Sequence, residues 1–380
     1  FDCPVVVIAG TNGKGSSACL LENIYLSAGY TVGVYSSPHL HCFNERLRVN
    51  AEPVSDRSLI DAFENINQLA KGSLSFFEFT TLSCLFILKQ LRLDVIILEV
   101  GLGGRLDAVN VVDADVAMIT SIGLDHQDWL GDTREEIAVE KCGVFRHGID
   151  AVCAESDPPV TIANQARLLG TKLYQLGQDF AYKVDGEAWS YQGRLSLQRL
   201  PIPALRFDHA ASAIRVSELL TSRLPVDVAA IQQGLRNARL PGRFECWHSP
   251  IQLIFDVAHN PQASAYLAET LLEVWKEKTI IAVVAMLGDK AIKEILKPLL
   301  SVCYLWYTAD LDVPRGAKDG EVVAALRSLG VSRCANHVNV ESAVENAIVD
   351  SKQYRDSVVV VFGSFNTVSQ AQQYCKKRRK

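Results

Sequence analysis

Val5-Val6-Val7-Ile8-Ala9-Gly10-Thr11-Asn12-Gly13-Lys14-Gly15-Ser16 is the stretch on which the fold turns. The apolar run predicts a buried strand over residues 4–9. A helix over 16–28 follows the glycine turn directly, with Leu20, Leu21, Ile24, Tyr25 and Ala28 on one face and Gly29 as its stop. Strand, glycine turn and helix N-terminus together suit a phosphate chain, because backbone N–H groups and a lysine then face one anion. Lys14 would supply charge to the β- and γ-phosphates, and Ser16 a hydroxyl near the metal. The match to G-x-x-x-x-G-K-[ST] is imperfect: Ile8 stands where the first glycine belongs and Gly15 where Ser or Thr belongs. A merely structural turn is the competing reading. The flanking strand and helix, with lysine inside, favour a nucleotide.

Outward from this turn the rhythm repeats. Strands are expected over 30–35, 94–100 and 115–121, and helices over 58–70 and 80–90. A further helix opens at the Thr133/Glu136 capping box and runs past Lys141. Such alternation means a mainly parallel sheet covered by helices. Residues 180–197 alternate instead around Asp185-Gly186 and Gln192-Gly193 turns, which predicts a small antiparallel addition. Helical stretches return over 210–237, and 239–243 reads as a linker. Strand candidates resume at 253–257, 280–286, 303–308 and 358–362. The expected fold class is α/β in two domains, 1–240 and 243–380, with the basic run 376–380 as a frayed, solvated tail.

Composition narrows the function classes. The 380 residues suggest about two domains. At 48% hydrophobic and 21% charged, the chain reads as globular. Its net charge of -5 demands neither a nucleic acid nor an anionic membrane as partner. The longest apolar run, 280–287, falls far short of the ~20 residues that span a bilayer, and no secretory leader opens the chain. Ten cysteines, from Cys3 to Cys375, form no CxxC pair, which suits a reducing, cytoplasmic setting and buried free thiols.

Polar residues recur after the predicted strands. Ser36-Ser37-Pro38, Glu99 and Asp125-His126 all fall at the carboxyl edge, where ligands of open parallel sheets lie. Mg²⁺ prefers oxygen donors, so Ser37 and Glu99 suit it, while His126 is a less usual partner. Taken singly, each has a plainer reading as a turn hydroxyl, a strand-end carboxylate and a surface or packed histidine. Spacing alone makes Lys141 a solvated helix residue. Arg243 and Asp256 are either a linker charge and a helix cap, or residues that domain closure carries onto a nucleotide.

Together these segments resemble one family, the bacterial bifunctional dihydrofolate synthase/folylpolyglutamate synthase of the Mur ligase superfamily. The likeness is carried by 10–16, 35–40, 76–79, 99–108, 121–131, 140–145, 240–244, 255–261 and 363–365, in one order along almost the whole chain. It implies a P-loop domain, with its mainly parallel sheet, followed by a smaller Rossmann-like ligase domain. The implied activity is ATP-dependent addition of L-glutamate to 7,8-dihydropteroate and to reduced folates through an acyl phosphate, releasing ADP and phosphate. By the same resemblance Gly13, Lys14, Gly15 and Ser16 hold the ATP phosphates, and Ser37, Glu99 and His126 ligate Mg²⁺. Lys141 is the lysine modified to a carbamate. Arg243 and Asp256 contact ATP, and His259 lies near the phosphates. Phe76, Phe77, Glu78, Leu106, Asp107 and Ala108 line the pterin pocket, and Ser364 helps place glutamate.

Two departures accompany the likeness. His209, in Asp208-His209-Ala210-Ala211, stands where the family has an adenine-binding Asn. The family also has a pterin-binding segment ahead of the first strand without a counterpart in this sequence, so normal ATP binding with weak dihydropteroate binding is expected. A monomer is expected. The rival readings are a cell-wall Mur ligase with a nucleotide-sugar acceptor and a non-catalytic P-loop module.

Overall fold

The computed structural model describes the chain apart from residues 249–250, 319 and 379–380. It divides into two compact units, 1–240 and 241–380.

The first unit is organised by an eight-stranded sheet. Its strands are β1 (Val5–Ala9), β2 (Val32–Tyr35), β3 (Leu47–Val49), β4 (Glu52–Pro53), β5 (Val95–Glu99), β6 (Val116–Ile119), β7 (Asp150–Cys153) and β8 (Lys172–Gln175). Their order is β4-β3-β2-β5-β1-β6-β7-β8, parallel from β2 to β8, with β3 and β4 added antiparallel at the edge. β1 shows why the run is apolar throughout. Successive side chains point to opposite faces, so Val6 and Ile8 enter one core while Val5, Val7 and Ala9 enter the other.

The helices of this unit are α1 (Lys14–Ser27), α2 (Asp56–Leu69), α3 (Phe76–Gln90), α4 (Gln127–Leu130), α5 (Arg134–Cys142), α6 (Val160–Leu169), α7 (Phe207–Leu219) and α8 (Val228–Asn237). α1, α7 and α8 contribute to one core, and α2, α3, α5 and α6 to the other. α3 begins four residues before the expected Thr80. Ser75 accepts from the Glu78 N–H while the Glu78 carboxylate accepts from the Ser75 N–H, a reciprocal cap that starts the helix at Phe76. The antiparallel addition is a three-stranded sheet, β9 (Ala181–Asp185), β10 (Ala188–Gln192) and β11 (Ser196–Pro201), which buries Trp189 and Tyr191 in the α1-side core.

The second unit has a six-stranded sheet: β12 (Glu245–His248), β13 (Gln252–Phe255), β14 (Thr279–Val284), β15 (Leu305–Ala309), β16 (Cys334–His337) and β17 (Ser357–Phe362), in the order β12-β13-β17-β14-β15-β16. The four expected strands form its parallel centre. The two edges, β12 and β16, are short and mixed in polarity, so no apolar run announced them. The described part of the basic run is solvent-exposed as expected but is not frayed. Lys376 and Arg378 belong to the helix Phe365–Arg378, where Arg378 pairs with Glu345 at 2.8 Å; the last two residues of the run lie outside the described chain.

Gly234 of α8 lets that helix pack tightly on α1, since a Cβ there would fall 2.6 Å from the Ile24 Cα. Alanine gains about 1 kcal/mol of helix propensity over glycine, but forced overpacking costs typically about 1–3 kcal/mol. The obstacle here is backbone, which cannot rotate aside, so packing wins. Gly234→Ala is expected to lower the urea midpoint; a midpoint equal to or above wild type would mean that the helices separate freely.

Candidate active site

The glycine turn is held in place by the segment that follows β6. The Thr11 N–H donates to the Ser121 carbonyl at 2.8 Å, and the Asn12 N–H to the Ser121 hydroxyl at 2.9 Å. The Thr120 hydroxyl donates to the Asn12 carbonyl at 2.7 Å. A Cβ on Gly10 would lie 1.8 Å from the Thr120 Oγ1, so this contact requires glycine. Gly13, with φ 88°, caps α1 in the left-handed region that glycine adopts freely. The buried His209 ring lies against it, with Nε2 2.0 Å from where a Gly13 Cβ would be. His209, expected from the family likeness at the place of an adenine-binding Asn, therefore touches the glycine turn itself.

Two ammonium groups meet at this turn. Lys14 Nζ donates to the Gly10 carbonyl at 2.9 Å, and Lys141 Nζ donates to the same oxygen at 3.0 Å. Lys141 is 3% exposed, which overturns its reading as a solvated helix residue. Burial pushes its amine down to about 7, the Lys14 charge adds to that, and Asp125 and Asp107 oppose it.

Glu99 ends β5 and is buried; its Oε2 accepts from the Ser37 N–H at 3.2 Å. A Cβ on Gly15 would come within 3.5 Å of the same carboxylate, so Glu99, Ser37 and the start of α1 form one cluster. His126 follows β6 at the N-cap of α4, with φ 52° and its Nε2 3.9 Å from Asp125 Oδ1. In sheet order β2, β5, β1 and β6 are neighbours. Ser37, Glu99, the glycine turn and His126 thus leave four adjacent strand ends.

The residues implied for the pterin are less uniform. Phe77 packs on Gly101, where a Cβ would lie 2.3 Å from its ring, and also meets Tyr35. Phe76 is 66% exposed beside Phe43 and the Arg46 guanidinium. Glu78 closes the cap of α3. Leu106 is 80% exposed, whereas Asp107 points inward, accepting from Leu102 N–H at 2.8 Å and Val109 N–H at 2.9 Å. Burial raises the Asp107 carboxyl, against the pull of those N–H groups. Ala108 opens the short turn Ala108–Val111 behind it.

In the second unit the ends of β13 and β17 hold the remaining candidates. Asp256 accepts from the N–H groups of Phe244 (2.9 Å) and Ala258 (2.8 Å). Burial raises its carboxyl, while Arg243 pulls the other way. It caps a loop; the helix Pro261–Trp275 is capped by Asn260 instead. The Arg243 guanidinium lies 5.0 Å from the Phe365 ring, and His259 is 6.2 Å from the same ring. Ser364 is buried, its hydroxyl 2.7 Å from that of Thr367 and accepting the Thr367 N–H at 3.0 Å.

Comparison with known proteins places this arrangement. Residues 8–184 match the Mur ligase middle domain, and 242–365 match the Mur ligase glutamate ligase domain. The Escherichia coli dihydrofolate synthase/folylpolyglutamate synthase is 43% identical over 378 residues, covering 99% of this chain and 87% of that protein. The chain belongs to the dihydrofolate synthase/folylpolyglutamate synthase family of Mur ligases. Two solved members superpose closely. E. coli FolC in complex with DHPP and ADP gives a TM-score of 0.93 at 42% identity, covering 99% of this chain and 89% of that one. The Yersinia pestis enzyme complexed with AMPPNP and Mn ion gives 0.92 at 44%, covering 98% and 89%.

A divalent ion fits this Mur ligase site on chemical grounds. Glu99 presents a buried carboxylate beside the Ser37 backbone and a helix N-terminus. Among the described residues no three His, Cys, Asp or Glu side chains gather into a cage. A hard cation that takes one or two carboxylates and completes its shell with phosphate and water needs none. Nothing in the sequence marked Thr120 and Ser121 as the residues that hold the glycine turn; Asp125 was visible beside His126, but nothing local showed that its charge acts on Lys141.

Lys141 gives a pH test. It binds its proton less tightly in the fold than unfolded. Between about pH 7 and pH 10.5 the unfolded chain therefore holds more protons, and stability rises with pH by at most about 1.4 kcal/mol per unit. In CO₂-free buffer the urea midpoint of wild type is expected to rise relative to Lys141→Met over this window. Parallel profiles would show that the fold does not weaken the amine's hold on its proton.

Proposed function

We propose that this Mur ligase uses ATP to join L-glutamate to 7,8-dihydropteroate and to reduced folates. A carboxylate oxygen of the acceptor attacks the γ-phosphorus, the β–γ bridging P–O bond breaks, and ADP leaves. The glutamate amine then attacks the acyl carbon, a C–N bond forms, the C–O bond to phosphate breaks, and the ammonium protons are lost to solvent. The observation that carries this reading is the convergence of Lys14, Lys141, Ser37 and Glu99 on the phosphate turn.

Two anions must meet in the first step, and unit charges of like sign 4 Å apart repel by about 4 kcal/mol at an effective dielectric of 20. Lys14 and the N–H groups opening α1 would offset this by holding the phosphates. Ser37, Glu99 and His126 would hold Mg²⁺, which when bound neutralises phosphate charge. His209, against Gly13, would contact ATP at the turn. Arg243, Asp256 and His259 would add contacts to nucleotide, and Ser364 would help place glutamate. Phe76, Phe77 and Leu106 would offer apolar surface to the pterin, with Glu78, Asp107 and Ala108 shaping the adjoining loops.

A partly neutral Lys141 can also take up CO₂. Its lone pair bonds to carbon, one C=O pair moves to oxygen, and a proton leaves, turning a cation into a carbamate anion. We place the reaction in the cytoplasm, in keeping with ten cysteines outside any disulfide, and in a monomer. Among the described residues no helix is long and apolar enough to cross a membrane.

ADP release is expected to require acceptor and glutamate together, and hydroxylamine to trap an acyl hydroxamate when glutamate is withheld. Absence of the hydroxamate at saturating acceptor would favour a binding module, and turnover only with a nucleotide-sugar acid would favour a cell-wall ligase. Lys14→Ala is expected to abolish ADP release; a wild-type rate would remove the phosphate-loop assignment. With ¹³C-bicarbonate, wild type should show a carbamate carbon resonance that Lys141→Met lacks, and identical spectra would dismiss the modification.

A further inference from the structure

We infer that Arg48, through its pair with Glu22, is a positioning residue for the turn bearing Ser37, and so sets divalent-metal affinity at Ser37 and Glu99. The inference rests on the metal assignment proposed above. Arg48 lies on β3 opposite Val34 of β2, and its side chain is only 15% exposed; that of Glu22, on α1, is 3% exposed. Nη2 is 2.8 Å from Glu22 Oε2, and Nε is 3.3 Å from both carboxylate oxygens. Nη1 points elsewhere, donating to the Ser36 hydroxyl at 3.1 Å and to the Glu45 carbonyl at 3.3 Å. One guanidinium therefore ties the phosphate-loop helix, the turn after β2 and the turn before β3.

That tie ends at the metal cluster. Ser36 is gripped twice, since its N–H also donates to the Arg46 carbonyl at 2.9 Å. The next residue, Ser37, gives its N–H to Glu99. A buried ion pair is weak evidence for stability, because desolvation costs several kcal/mol per ion and well-packed apolar side chains often do as well. Arginine at this place is better explained by shape. Its planar fork binds a carboxylate along one edge and leaves another N–H direction for Ser36, which a lysine ammonium on a flexible stem does not reproduce.

The test separates positioning from general stability. Arg48→Lys keeps the charge beside Glu22, Ser36→Ala removes the acceptor, and Glu99→Gln serves as control. Mn²⁺ affinity of the ADP-loaded protein is read by electron paramagnetic resonance, and ADP affinity in EDTA by calorimetry. Arg48→Lys is expected to weaken Mn²⁺ binding by roughly 10- to 100-fold, the range for groups that orient metal ligands. Ser36→Ala should move the same way by less, and metal-free ADP affinity should hold. The inference is overturned if both variants, folded by their urea midpoints, bind Mn²⁺ like wild type while Glu99→Gln does not. It is equally overturned if metal-free ADP affinity falls in proportion. Should Glu99→Gln itself bind Mn²⁺ normally, the metal assignment fails and the inference goes with it.

Discussion

Two lysines share one carbonyl oxygen, that of Gly10, and the chemistry of the first unit follows from the conflict this creates. Donors at 2.9 and 3.0 Å from the same atom are no more than about 6 Å apart. Two full charges at that separation repel by at least about 3 kcal/mol at an effective dielectric of 20. Such an arrangement persists only if one amine gives up its proton readily or if anions are supplied. Both responses are built in. Lys141, the more buried, has its amine lowered to about 7, while Asp125 and Asp107 oppose the shift. A nucleotide phosphate chain, or a carbamate on Lys141 itself, would complete the compensation.

The turn can carry this conflict because it is anchored from outside. Its backbone and side-chain bonds run to Thr120, Ser121 and Gly123, beyond the neighbouring β6, not to its own helix alone. The same neighbourhood of parallel strands explains why one edge collects the site. Chains that leave adjacent parallel strands emerge side by side, so the Ser37 N–H and the Glu99 carboxylate meet beside the start of α1 without long loops, and His126 follows the adjoining β6. In the second unit the same rule gathers Asp256, His259 and Ser364 at the ends of β13 and β17, with Arg243 lying across Phe365.

Much of the fold was legible because the signals are local. β1, β5 and β6 are apolar runs, the caps at Thr133 and Ser75 mark helix starts, and glycine punctuates the turns. The Ser75/Glu78 cap is also local, but it lies ahead of the apolar stretch from Thr80, so hydrophobic spacing alone starts α3 too late. Short strands such as β3, β12 and β16 carry too few residues for a period to show. The candidate site was legible as a set of residue types and, through the family likeness, as a set of positions; which of them touch was not.

The sequence by itself determined that a glycine turn joins a buried strand to a helix, that two α/β units follow one another, and that the chain resembles a glutamate-adding ligase. Those conclusions need only neighbours along the chain and the order of motifs. Tertiary structure alone decided that Lys141 is buried against Gly10, that His209 presses on Gly13, that Asp107 turns inward, and that Arg48 bridges Glu22 to Ser36. Each of these is a matter of burial or of contact that strand order imposes, in most cases between residues far apart along the chain. Charge, pKa and hydrogen bonding respond to such surroundings and not to spacing in sequence.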